Sequence, residues 1–176
     1  MPSPVVDLKR VDSYKDVLDS IIVSEGGFVN HVADHGGPTN WGITKKTLQR
    51  WRDAPVTLAD VQDLSKAEAL AIYKERYFCG PKIDTLPKSL HTIVLDDAVL
   101  SGPVSAIKRL QRCLPQATVD GIIGPQTRSL AMSASKYALR VLLVRNRVER
   151  YCRIVQRDTS QVVFLVGWVR RAMRFL

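Results

Sequence analysis

A mainly helical fold of two parts is the class this sequence predicts, and three observations predict it. Apolar residues recur at helical spacing, from Val17, Leu18, Ile21 and Ile22 near the start to Val163, Phe164, Val166 and Trp168 near the end. Gly, Asn, Asp and Pro concentrate between Gly26 and Gly42, which reads as a tight hairpin or loop. Charge then divides the chain: residues to Gly102 carry 12 Lys and Arg against 14 Asp and Glu, and those from Pro103 onward carry 14 against 3. A first part over residues 13–101 and a cationic second part over 102–176 follow. The 45% hydrophobic content of the 176 residues suffices for a globular core.

Taken in order, residues 1–12 read as an extended or frayed leader. Tyr14 to Ser24 carry one apolar helical stripe, and the Gly26-Gly27 pair stops the helix, which leaves Glu25 at its C-terminus. Beyond the glycine-rich loop, Thr44 caps a helix carrying Leu48 and Trp51 that ends before Pro55. Thr57 starts a short helical piece with Leu58, Val61 and Leu64. Ser65-Lys66-Ala67-Glu68 reads as a reciprocal capping box in front of a helix that runs through Tyr73 and Tyr77 to Gly80-Pro81. Residues 88–101 are apolar almost all round, as in a helix buried at the centre of a protein, and Asp96 and Asp97 within it need polar partners. Pro103 opens the next helix, and the Asp120-Gly121 turn precedes another that Pro125 opens. Residues 134–157 form a long amphipathic helix with seven basic side chains. A last one, about 161–175, is expected to pack its apolar face on that helix rather than enter a membrane surface.

The chemistry points to the run from Glu25 to Thr44. Carbonyls at a helix C-terminus and partial burial both favour a protonated carboxyl, so Glu25 is suited to act as a general acid. A loop folding back over the helix end brings Asp34 and Thr39 to face it. A carboxylic acid, a second carboxylate and a hydroxyl around one cleft are the groups that glycosidic cleavage needs. Asn40 is a candidate hydrogen-bond partner for substrate. Trp41 and Tyr73, with Trp51 and Tyr77, offer aromatic faces on which pyranose rings stack.

Glu-Gly-Gly-Phe-Val-Asn, then Asp34, then Gly-Gly-Pro-Thr-Asn-Trp-Gly-Ile-Thr resembles the signature of glycoside hydrolase family 108, the phage-type N-acetylmuramidases with a lysozyme-like fold. The resemblance implies a lysozyme-like lobe with a small β-hairpin at the active site and Glu25 as catalytic acid. It is similar as well to the Glu, Asp, Thr triad of phage lysozymes, with Asp34 at the corresponding spacing and Thr39 one residue nearer. Asp120-Gly121-x-x-Gly124-Pro125-x-Thr127 resembles the peptidoglycan-binding module that follows the lobe in this family, and Gly167-Trp168-x-x-Arg171 resembles its closing helix. The family's central helix is Asp-rich and ends in Asn-Ser-Gly, where this chain has Leu100-Ser101-Gly102. The function implied is hydrolysis of the peptidoglycan glycan strand by a monomer, as an endolysin or in endolysin-derived protein release.

The remaining composition bears on compartment and partners. The overall charge of +9 suits an anionic polymer or envelope surface. Zinc-finger spacing and RNA-recognition signatures are missing, so nucleic acid is not expected as partner. Cys79, Cys113 and Cys152 are odd in number and far apart, which fits reduced thiols of a chain folded in a cytoplasm. The N-terminus has no apolar signal core and no stretch spans a membrane. Action in the periplasm or wall is therefore expected to follow holin-type or dedicated export. No cofactor is needed, since acid and base groups suffice. Two other classes stay open: a zinc-dependent wall amidase using His31, Asp34, His35 and His91, and a cationic wall-binding protein without catalysis.

Overall fold

The computed structural model describes residues 13–25, 28 and 38–176. Asp34, His31 and His35 lie outside the described residues, as does most of the loop between Glu25 and Thr39. The described residues divide into two compact units, one within Lys15–Gly80 and the other Pro81–Leu176 with Ser13 and Tyr14. The described residues are mainly helical, with one two-stranded hairpin among them.

In the first unit, α1 (Tyr14–Glu25) buries Val17, Leu18 and Ile22, the stripe its spacing predicts. Next come β1 (Thr39–Asn40) and β2 (Ile43–Thr44), antiparallel, with Thr39 opposite Thr44 and Asn40 opposite Ile43. The Thr44 hydroxyl accepts from the Thr47 amide and caps α2 (Lys45–Arg52), which buries Leu48. Helices α3 (Leu58–Gln62) and α4 (Lys66–Lys74) follow.

The reciprocal capping box forms one helix earlier than the sequence suggests. At α3, Thr57 accepts from the Asp60 amide while the Asp60 carboxylate accepts from the Thr57 amide. At α4, Ser65 accepts from the Glu68 amide, but the Glu68 carboxylate turns away to take both ends of the Arg52 guanidinium at 2.9 and 2.8 Å. A bidentate charged pair outcompetes the single backbone donor. Helix α4 then widens into a π-turn over Glu75–Cys79, closed by the Gly80 amide on the Glu75 carbonyl at 2.8 Å. Tyr73 and Tyr77 stack within it at 5.6 Å between centroids.

The second unit is built on α5 (Lys88–Ser101), against which α6 (Pro103–Arg112) and α8 (Lys136–Arg157) pack. Gly102 joins α5 to α6 at φ 82, a left-handed value that glycine takes without strain, and Pro103 sits at the first turn of α6. Leu90, Ile93, Val94, Leu95 and Ala98 of α5 are buried together with Asp96 and Asp97. The two carboxylates find the partners their burial demands. Asp97 receives Arg109 through Nε at 2.6 Å and Nη2 at 2.8 Å. Asp96 receives Arg147 at 2.6 Å and Arg171 at 2.9 and 2.8 Å. Burial works against the charge on Arg147, which is 1% exposed, but Asp96, Tyr151 and Asp97 outweigh it and hold the guanidinium charged well above its ordinary range.

Between α6 and α8 runs a loop followed by α7 (Pro125–Ser133). Lys136 Nζ donates to the carbonyls of Ala131, Met132 and Ala134, filling orphan acceptors at the end of α7. The last helix, α9 (Val162–Met173), packs on α8 through Ala172 and the Tyr151–Trp168 ring pair, 5.4 Å apart. The expectation that its whole apolar face docks is met only toward its C-terminus, because Val162, Val163, Phe164 and Val166 are more than half exposed. No described helix is long and apolar enough to cross a membrane.

Candidate active site

The hairpin's geometry follows from its turn. Two residues join the strands, and Trp41 and Gly42 both take positive φ, at 53 and 70°, as a type I′ turn requires. Glycine takes this conformation freely, whereas for tryptophan it costs about 1–2 kcal/mol. Hydrogen bonds from all sides offset that cost. The Trp41 indole Nε1 donates to the Leu64 carbonyl at 3.0 Å, and the Trp41 carbonyl accepts from the Tyr73 hydroxyl at 3.1 Å. Next door, the Asn40 carboxamide donates to the carbonyls of Val61 at 3.0 Å and Gln62 at 2.8 Å. Those acceptors lie at the C-terminal end of α3 and just past it, where helix carbonyls lack intrahelical donors. Two consecutive hairpin residues thus cap one helix and hold the tip rigidly on α3 and α4.

The residues that the sequence nominated for sugar contact lie in and around this hairpin. Asn40 is 5% exposed and Tyr73 also 5%, and both spend polar groups on the protein. Trp41, whose carbonyl the Tyr73 hydroxyl reaches, is half-buried. Trp51 is 40% exposed on α2, and Tyr77 is half-buried with the Arg76 guanidinium over its ring at 5.6 Å. Thr39 is half-buried at the start of β1, two residues before Trp41. Glu25 is the last residue of α1, in the same compact unit as the hairpin. The sequence did not show that the Asn40 carboxamide and the Tyr73 hydroxyl bond carbonyls of the protein here. The Trp-Gly turn between β-prone residues was the available signal.

For the metal reading, no group of three or more His, Cys, Asp or Glu placed to hold a cation occurs among the described residues. His91 Nε2 donates to the Leu86 carbonyl at 2.7 Å.

In the second unit the Asp-Gly-x-x-Gly-Pro-x-Thr motif is wound around Gln111 of α6, 1% exposed and not singled out by the sequence. Its Nε2 donates to Asp120 Oδ1 at 2.7 Å, the Ile122 carbonyl at 3.0 Å and Thr127 Oγ1 at 3.1 Å. Its Oε1 accepts from the Gly121 amide at 2.9 Å. The Ile122 amide and then Gln111 hold the Asp120 carboxyl below its ordinary range. Gly121 has φ 84, and a Cβ there would meet Val104 Cγ1 at 2.8 Å. Thr127 is buried, and Asp120, although exposed, turns its carboxylate onto Gln111 and the Ile122 amide, so both fix the loop.

Residues 18–102 match the family described as Glycosyl hydrolase 108, and residues 105–173 match that described as Predicted Peptidoglycan domain. The solved structure of SagA from Brucella abortus is similar over 92% of this chain and 90% of that one, at 32% identity and a TM-score of 0.70. No curated protein sequence matches.

Proposed function

Since the chain belongs to the glycosyl hydrolase 108 family and carries a peptidoglycan-binding domain behind the hydrolase region, we propose that this glycoside hydrolase of peptidoglycan is an N-acetylmuramidase. Peptidoglycan is its partner and the cell wall its place of action. The bond cut in this reading joins N-acetylmuramic acid to N-acetylglucosamine. Glu25 protonates the departing glycosidic oxygen, Asp34 stabilises the oxocarbenium ion or activates water, and Thr39 orients water or substrate. Trp41 presents its indole to a sugar ring, with Asn40 and Tyr73 as the residues that position it. The enzyme serves as an endolysin or in an endolysin-derived opening of the wall for protein release.

The observation that carries this reading is the site of Glu25 at the last residue of α1, in the compact unit that also holds the anchored Thr39–Thr44 hairpin. Carbonyls at a helix C-terminus favour the uncharged acid that a proton donor must be. The test is digestion of purified sacculi by wild type and Glu25→Gln, followed by mass spectrometry of the fragments. Wild type is expected to release fragments with a new N-acetylmuramic acid reducing end, and Glu25→Gln to lose about a hundredfold or more in rate while folding normally. A Glu25→Gln enzyme as fast as wild type, or cleavage of an amide instead, overturns the assignment.

A further inference from the structure

On α8, Arg150, Arg153, Ile154 and Arg157 fall on one helical face, and Arg109 and Arg112 of α6 stand across from them around a cleft of about 540 Å³. Five guanidinium groups in one concavity repel one another unless anions intervene. Two are occupied: Arg109, buried, by Asp97 and Ser101, and Arg153 by the Glu149 carbonyl and, at 4.0 Å, its carboxylate. Arg112, Arg150 and Arg157 have no carboxylate partner among the described residues, although each lines the cleft. The walls are held in place. Asn146, also in the lining, donates to Cys113 Sγ at 3.3 Å and to the Leu142 carbonyl at 3.1 Å, tying α8 to the end of α6.

We propose that this cleft receives the free carboxylates of peptidoglycan stem peptides, an inference that rests on the reading of the protein as a peptidoglycan hydrolase. The guanidinium fork matches a carboxylate with two parallel hydrogen bonds, and several forks in one bounded cleft suit a short peptide bearing more than one acidic group. Ile154 adds an apolar wall that a peptide side chain uses and a bare phosphate does not. The cleft lies inside the region matched as a peptidoglycan domain. Stem peptides are spaced along the glycan strand, so holding one keeps the strand tethered between cleavage events.

Calorimetric titration of the full chain tests this, with a synthetic stem tetrapeptide, the same peptide with its carboxylates amidated, and inorganic phosphate as probes. The free tetrapeptide is expected to bind, the amidated one to bind at least about tenfold more weakly, and Arg112→Gln and Arg150→Gln each to weaken binding by about tenfold. Arg170→Gln, the same charge change at an exposed position outside the cleft, is expected to leave affinity unchanged. Equal loss in Arg170→Gln overturns the proposal in favour of diffuse charge attraction, and phosphate displacing the peptide at matched concentration overturns it in favour of a phosphate site. Wild type that cuts sacculi but ignores the tetrapeptide refutes the cleft and leaves the hydrolase standing. Wild type that binds the tetrapeptide but leaves sacculi uncut refutes the hydrolase and leaves the cleft.

Discussion

Replacing Asp96 by Ala removes the acceptor of two charged hydrogen bonds, from Arg147 Nη2 at 2.6 Å and from Arg171 Nε at 2.9 Å, together with the ion-pair contact to Arg171 Nη2 at 2.8 Å. The two arginines respond differently. Arg171 is 27% exposed and turns to water at little cost. Arg147 cannot: it is 1% exposed, its Nη1 already lacks a partner, and what remains near its charge among the described residues is Asp97 at 3.9 Å, the Tyr151 hydroxyl and the face of the Phe175 ring at 5.4 Å. Stranding a buried charge in this way costs about 3–5 kcal/mol. The expected result in urea denaturation followed by circular dichroism is a loss of that size, or a melting temperature lower by about 10 °C. Arg171→Ala should cost about 1 kcal/mol. The double variant Asp96→Ala/Arg147→Met should be less destabilised than the sum of its parts, because it removes the stranded charge together with its partner. A loss below about 1 kcal/mol in Asp96→Ala would mean that water reaches Arg147 and that burial does not govern the cluster.

Three further outcomes follow from geometry already described. Asn40→Ala leaves the Val61 and Gln62 carbonyls without their side-chain donor and should cost about 2 kcal/mol in thermal or urea unfolding, with a fall in sacculus hydrolysis as Trp41 loosens. Gln111→Ala should destabilise the second unit by about 3 kcal/mol, since Asp120, Gly121, Ile122 and Thr127 all lose a buried partner, and Gly121→Ala should do so through its positive φ and its clash with Val104. Melting curves of both variants check this. The third concerns pH. Hydrogen bonds from Arg52 lower the Glu68 carboxyl, and those from Thr57 and then the charge of Arg52 lower that of Asp60. A depressed carboxyl stabilises the fold above its ordinary range near pH 4, and that stability is lost as pH falls through the lowered value. The gap in melting temperature between wild type and Arg52→Gln should therefore be constant near neutrality and close in acid.

How much of this was readable in advance depends on sequence distance. Helix ends with a local cause were legible: Thr44, Thr57 and Ser65 cap, Pro103 and Pro125 open, and the stripe of Val17, Leu18 and Ile22 faces inward. So was the demand that Asp96 and Asp97 be paired. Which arginines answer was not, because they lie 12, 51 and 75 residues away and look like any other cation of an amphipathic helix. Gln111 was hidden for the same reason. Glu68 shows the limit of a local motif, since a partner 16 residues distant redirected its carboxylate. In the candidate site, residue type nominated Asn40, Trp41 and Tyr73, but the bonds that tie each of them to the protein span 21 to 32 residues.

The wide turn at the end of α4 carries one residue more than an ordinary helical turn would, and the directions of its own side chains depend on that surplus. An α-helix advances about 100° per residue. Deleting a single residue between Glu75 and Cys79 would restore normal winding, swing the phenol of Tyr77 off its neighbour by roughly that angle, and carry Arg76 away from the Thr47 hydroxyl it now reaches at 2.9 Å. A one-codon deletion here would thus act less like a trimmed loop than like a gear slipping one tooth.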